Sequence, residues 1–231
     1  MTKKKRINNE ISNQIVMKKF AVILSGCGVY DGSEIHEATL TMLAIKKLGA
    51  DYQLFAPDIM QHHVINHLTG QETTEKRNVL VESARIARGN IKPLQELNPA
   101  DFDALIMPGG FGAAKNLSDY AFNGSKMEVN SVLADKLITA HKLNKAIGAM
   151  CIAPVILAKV FEGSQVTIGN DKSTASDIEN MGAKHNVTIS GGVIYDSRYN
   201  IFSTPCYMLN ANIAEIAVGC ENIVKVMLEK I

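Results

Sequence analysis

The chain has 231 residues, 46% of them apolar and 20% charged, a composition that excludes a fibre and a wholly disordered chain. Its 24 basic and 23 acidic side chains leave a formal charge of +1, so no cationic surplus exists to drive counterion release from nucleic acid. No apolar run reaches the roughly 18 residues that a membrane-crossing helix needs.

Residues 1–16 carry a KKKR run and no apolar h-region, which excludes a secretory signal. They read as a disordered extension, or as an upstream start, ahead of Met17. Their one Arg and one Ser give a mitochondrial transit peptide only weak support. Residues 17–231 then form one domain, in keeping with the length.

The apolar run 19–25 (KFAVILS) predicts a strand covered on both faces. A helix is expected over 33–48, with Asp31 and Glu34 spaced as a capping box and Gly49 as its stop. Residues 51–56 read as a second strand ended by Pro57. The stretch 58–76 has no clean period and predicts irregular structure or a short hairpin. Helical spacing resumes over 77–88, and Phe102–Met107 is a third strand that runs into PGGFGAAKN. Helices are expected over 126–142 and 152–160, with a short strand, 146–150, between them. Shorter strands are expected at 165–169 and within 187–203, and a closing helix over 208–230. Alternating strands and helices predict an α/β fold with a mostly parallel central sheet sandwiched between helices. Ligands of such sheets bind at the carboxyl ends of the strands, here the loops 25–33, 108–116 and 150–154.

Three segments carry candidate chemistry. In GAMCIAP (148–154), a small-residue strand enters Cys151 and a helix leaves after it, the pattern of a nucleophile elbow. A thiol there meets the positive end of the helix dipole, which lowers its pKa. The competing reading, a buried structural cysteine, suits Cys27 and Cys220 better. In PGGFGAAKN (108–116), paired glycines after a strand expose N–H groups that form half of an oxyanion hole, with the amide after Cys151 as the other half. In GSEIHEA (32–38), Glu34 or Glu37 is a candidate proton shuttle if desolvated, and spacing alone does not choose between them. Adjacent His62 and His63, with His67, lack the spacing of a metal site. The four cysteines form no CxxC pair and read as free thiols in a reducing cytoplasm.

MKKFAVILSGCGVYDGSEIHEA, PGGFGAAKNL, GAMCIAP and STPCYMLN together resemble the ElbB proteins, a cysteine-bearing branch of the PfpI and class I glutamine-amidotransferase-like superfamily. The resemblance covers roughly residues 17–230. It implies a flavodoxin-like three-layer sandwich, with Cys151 as elbow nucleophile and Glu37, rather than Glu34, as a protonated acid bonded to its thiolate. It further implies oxyanion donors at Gly110 and Ile152 and, by a loose alignment, His185 near the pocket, which Asn116 and Glu34 are also expected to line. The implied activity is a glutathione-independent glyoxalase acting on a small aldehyde, without metal or organic cofactor, in a homodimer linked to isoprenoid biosynthesis. The alternative is a non-enzymatic stress protein with an oxidisable cysteine. One departure matters: Ile152 stands where PfpI-type enzymes often carry the histidine partner, and no late HPE-like segment occurs. Hydrolysis through a Cys–His dyad is therefore not expected.

Overall fold

A computed structural model describes residues 17–231; the extension expected over 1–16 lies outside the described residues. The first strand, β1 (Lys19–Ile23), alternates its side chains between two cores. Phe20 and Val22 join one apolar cluster and Ala21 and Ile23 the other. After it come α1 (Ile35–Lys47), β2 (Asp51–Ala56), the hairpin β3 (Ile65–Asn66) and β4 (Gln71–Glu72), α2 (Val79–Ile86) and β5 (Ile91–Pro93). The chain continues through β6 (Ala104–Met107), the short helices α3 (Phe111–Lys115) and α4 (Tyr120–Asn123), α5 (Ser131–Lys142), β7 (Ala146–Met150) and α6 (Pro154–Val160). It closes with β8 (Gln165–Val166), α7 (Lys172–Asn180), β9 (Lys184–His185), β10 (Ile194–Asp196), β11 (Ile201–Thr204) and α8 (Ile213–Leu228).

The main sheet has seven strands in the order β10-β11-β7-β6-β1-β2-β5, all parallel except the edge strand β10. Its inner run β2-β1-β6-β7-β11 is the flavodoxin-like order, flanked by helices on both faces. Helices α1 and α8 pack on one face over Phe20, Val22, Ile106 and Met150. Helices α5 and α6 pack on the other over Ile23, Leu105 and Ile147. The architecture is thus the expected α/β sandwich, and it brings the ends of β1, β6, β7 and β11 together.

Several local expectations are corrected. Glu34, not Asp31, caps α1: its carboxylate accepts the Glu37 N–H at 2.7 Å. Asp31 is used elsewhere, accepting Ile65 N–H at 2.7 Å and fixing the hairpin of the 58–76 segment. The helix expected from 126 begins at Ser131 because Asn130 caps it, and the closing helix begins at Ile213 behind an Asn212–Glu215 capping box. Strand β5 and helices α3, α4 and α7 escape the sequence reading. They are short or, as in α7, bury only Thr174 and Ile178, so no apolar stripe marks them.

Candidate functional site

Cys151 follows β7 directly and takes φ +59°, a left-handed conformation unfavourable for a residue with a Cβ. The bend is held from both sides: Cys151 N–H donates to Thr204 O of β11, and Ala153 N–H donates to Met150 O, each at 3.0 Å. Pro154 then opens α6 at the position where a missing N–H costs nothing. This is the strained strand-to-helix elbow expected from GAMCIAP. The N–H groups of Gly110 and Ile152 act on the sulfur from the two sides of the elbow and pull its pKa down.

Gly110 faces the sulfur because it sits at φ +92°, ahead of α3, where a side chain would collide with the Gly32–Glu34 backbone. Gly109 is required for a different reason, its closeness to the reactive side chains. A Cβ there would overlap Cys151 and lie 2.8 Å from Glu37 Oε2. Its N–H instead donates to that oxygen at 2.9 Å, and Tyr207 N–H donates to Oε1 at 3.2 Å. Glu37 is fully buried, and its carboxyl lies against the Cys151 thiol. Glu34 stays on the helix cap and reaches the cavity from the side.

The electrostatics correct one expectation. Burial pushes the Cys151 thiol well above its ordinary value, the neighbouring Glu37 carboxylate adds to this, and the two amides pull only partly against it. Cys151 is 8% exposed rather than open, so desolvation outweighs the helix dipole. Burial, reinforced by Glu34, lifts the Glu37 carboxyl from 4.5 to about 7, against the pull of the Tyr207 and Gly109 N–H groups. The pair therefore keeps its proton on sulfur and titrates the carboxyl first. This is the reverse of the neutral acid and thiolate that the resemblance implies.

A cavity of about 380 Å³ opens above Cys151, with Glu34, Gly110, Phe111, Ile152, Tyr207 and Met208 among its walls. Two expected pocket residues are not there. Asn116 is a buried clamp: its amide donates to Ser25 O and Asp31 O at 2.9 Å, and its oxygen accepts His62 N–H at 3.0 Å. His185 sits on β9, its ring nitrogen accepting Ile168 N–H at 3.3 Å, and burial lowers its pKa. Among the described residues no histidine lines the cavity. Sequence reasoning missed Tyr207, which follows β11. The rule that ligands gather at strand ends points there too, because β11 ends beside β7 in the sheet. It also missed Tyr120, Asp171 and Thr174, which lie on the helices that carry no stripe.

A parallel α/β sandwich with a cysteine at a strained elbow and a buried glutamic acid against it defines a class of cysteine-bearing, amidotransferase-like domains. The DJ-1/PfpI family pattern matches residues 27–188, and the chain belongs to that family. It is 44% identical over 221 residues to the human "Glutamine amidotransferase-like class 1 domain-containing protein 3, mitochondrial", covering 91% of this chain and 82% of that one. It is 43% identical over 221 residues to the rat "ES1 protein homolog, mitochondrial", covering 91% and 83%. Among solved structures, an isoprenoid biosynthesis protein with amidotransferase-like domain from Ehrlichia chaffeensis superposes with TM-score 0.87 at 34% identity, covering 92% of this chain and 99% of that one. These relatives correct the cytoplasmic expectation, because the human and rat proteins are named as mitochondrial. Unpaired cysteines mark a reducing compartment without saying which.

Proposed function

We propose that the chain is a cofactor-independent glyoxalase that converts glyoxal or methylglyoxal to the 2-hydroxy acid through a hemithioacetal on Cys151. The observation that carries this reading is the buried Glu37 carboxyl, lifted to about 7 and lying against the thiol, with two N–H groups acting on the same sulfur. A base is most effective with a pKa near the working pH. As sulfur attacks the aldehyde carbon, its proton passes to the Glu37 carboxylate and the aldehyde oxygen develops charge toward the Gly110 and Ile152 N–H groups. Glu37 returns that proton to the oxygen, which completes the hemithioacetal, and its freed carboxylate then moves the carbon-bound proton through an enediol to the neighbouring carbon, leaving a 2-hydroxyacyl thioester. Water hydrolyses it to glycolate or lactate and restores the thiol. One carbon is oxidised and its neighbour reduced, so no external redox partner enters.

Membership of the DJ-1/PfpI family supports a cysteine chemistry at this elbow, and the name of the Ehrlichia relative supports a link to isoprenoid biosynthesis. Amide hydrolysis is less well supported, since no histidine among the described residues lines the cavity to serve the thiol. An oxidation-sensing role is disfavoured by the direction of the Cys151 pKa, because oxidants react with thiolate. The test is glyoxal consumption by the wild type and by Cys151→Ala. Turnover is expected in the first and loss of at least 100-fold in the second, on the scale of removing a nucleophile; equal rates end the proposal.

A further inference from the structure

The cavity over Cys151 is far larger than a two- or three-carbon aldehyde requires. At about 380 Å³ it falls within the range of sites for drug-sized ligands. Its wall is apolar: Val29, Phe111, Ala114, Ile152 and Met208 contribute side chains, and Tyr120 contributes a ring. The Tyr120 hydroxyl donates to Asp177 Oδ2 at 2.9 Å, so that residue offers the cavity its face rather than a polar group. Burial holds the phenol neutral, its pKa pushed up to about 12.

The charges around the cavity share one sign. Glu34 and Asp171 line it, and among the described residues no lysine or arginine does. The nearby Lys115 ammonium is committed elsewhere, donating to Tyr30 O at 3.0 Å and facing a separate depression beside Ile65. Among the described residues, a carboxylate or phosphate entering this site would meet two acids, the buried Glu34 and the exposed Asp171, and no lysine or arginine.

We infer that, granted the aldehyde chemistry proposed at Cys151, the substrates this site prefers are uncharged 2-oxoaldehydes with an apolar body of about phenyl size, and that Glu34 and Asp171 select against anionic ones. The same charges act on the product. The reaction R–CO–CHO + H₂O → R–CH(OH)–COO⁻ + H⁺ takes a neutral molecule in and generates a carboxylate facing two acids, which favours its release.

The test compares methylglyoxal, phenylglyoxal and 4-carboxyphenylglyoxal as substrates of the full chain. Phenylglyoxal is expected to show at least tenfold higher kcat/KM than methylglyoxal, chiefly through KM. Its 4-carboxy derivative is expected at least tenfold below it. Asp171→Asn, which keeps an oxygen to cap α7, is expected to narrow the gap between the two aryl substrates. Equal kcat/KM for methylglyoxal and phenylglyoxal, or no penalty for the carboxylate, overturns the inference while leaving the glyoxalase reading standing. If no aldehyde is turned over, that reading falls, and the selectivity is read by calorimetric titration of Cys151→Ala with mandelamide and mandelate. At least tenfold tighter binding of the amide upholds an uncharged, apolar ligand class, and equal affinities overturn it.

Discussion

The Glu37 carboxyl touches the Cys151 thiol from the flank that a side chain at position 109 would otherwise fill. Two chain segments 114 residues apart in sequence, the start of α1 and the end of β7, thus share one proton in a site closed by a glycine. The consequence is a carboxyl that titrates near neutrality and a thiol that does not ionise there.

That contact has a signature in stability. Glu37 in the fold holds its proton up to about 7, whereas an unfolded glutamate releases it near 4.5. Between those values the native state binds more protons than the unfolded one, so stability falls as pH rises and levels off above about 7. At 1.36 kcal/mol per pH unit, the Glu37 share of that loss is about 3 kcal/mol. Urea melts at pH 4.5, 6 and 7.5 should show the decline. In Glu37→Gln, which has nothing to titrate, the decline should shrink by that amount even if the variant is less stable throughout. His63 and His185, whose pKa values burial lowers, act in the opposite direction, so the difference between the two proteins carries the test: a Glu37→Gln curve parallel to the wild type would contradict the burial of an ionisable acid.

Activity should carry the same pKa. With Glu37 as the base, the rate of methylglyoxal consumption rises through a limb centred near 7, and Glu37→Gln is expected to lose at least 100-fold in kcat together with that limb. A pH profile recorded under kcat/KM conditions decides it. A Gln variant that retains an unchanged limb assigns the titration to another group.

Gly109 separates overlap from backbone strain. A methyl group there has nowhere to go among Cys151 and Glu37, so Gly109→Ala should cost about 1–3 kcal/mol as overpacking and abolish turnover. Gly49, at φ +81° with open space around it, provides the comparison. Gly49→Ala pays only the left-handed penalty of roughly 1 kcal/mol, and its kcat should be unchanged.

Much of this was legible in the chain because the signals were local. The buried strands Lys19–Ile23 and Ala104–Met107 are continuous apolar runs, and GAMCIAP carries its own bend. The proton order between Cys151 and Glu37 was not legible, because desolvation depends on how α1 and α8 close over the sheet, a tertiary fact that no spacing encodes. Asn116 looked like a pocket residue because it ends a glycine-rich motif at a strand end. Its amide is instead consumed by backbone groups of Ser25, Asp31 and His62, partners that come from two other loops.

The clamp role of Asn116 makes a prediction of its own. Asn116→Ala strands two buried carbonyls and one N–H, at about 1–3 kcal/mol for each group left unsatisfied and out of reach of water, so a total loss of several kcal/mol is expected. A residue that gripped substrate would instead change KM and spare stability. Thermal melts and initial rates on the same preparation separate the two.

Thiol reactivity tests the coupling without any substrate. The Glu37 carboxylate is one of the forces that raise the Cys151 pKa, second to burial. Glu37→Gln removes that charge, so alkylation of Cys151 by iodoacetamide at pH 8 should accelerate, about tenfold for each pH unit by which its pKa falls while the thiol form still predominates. Cys27 serves as the internal reference, because burial and the charges of Glu82, Arg85, Asp31 and Arg77 dominate its shift, so its rate should move little. Peptide mass spectrometry after timed quenching follows both sites in one sample. Unchanged Cys151 labelling, with Cys27 also unchanged, would mean that burial alone holds the thiol protonated. Slower labelling in the variant would mean that the carboxylate acts on the thiol chiefly as a general base, the role proposed for it with the aldehyde, and that this outweighs its effect on the thiol pKa.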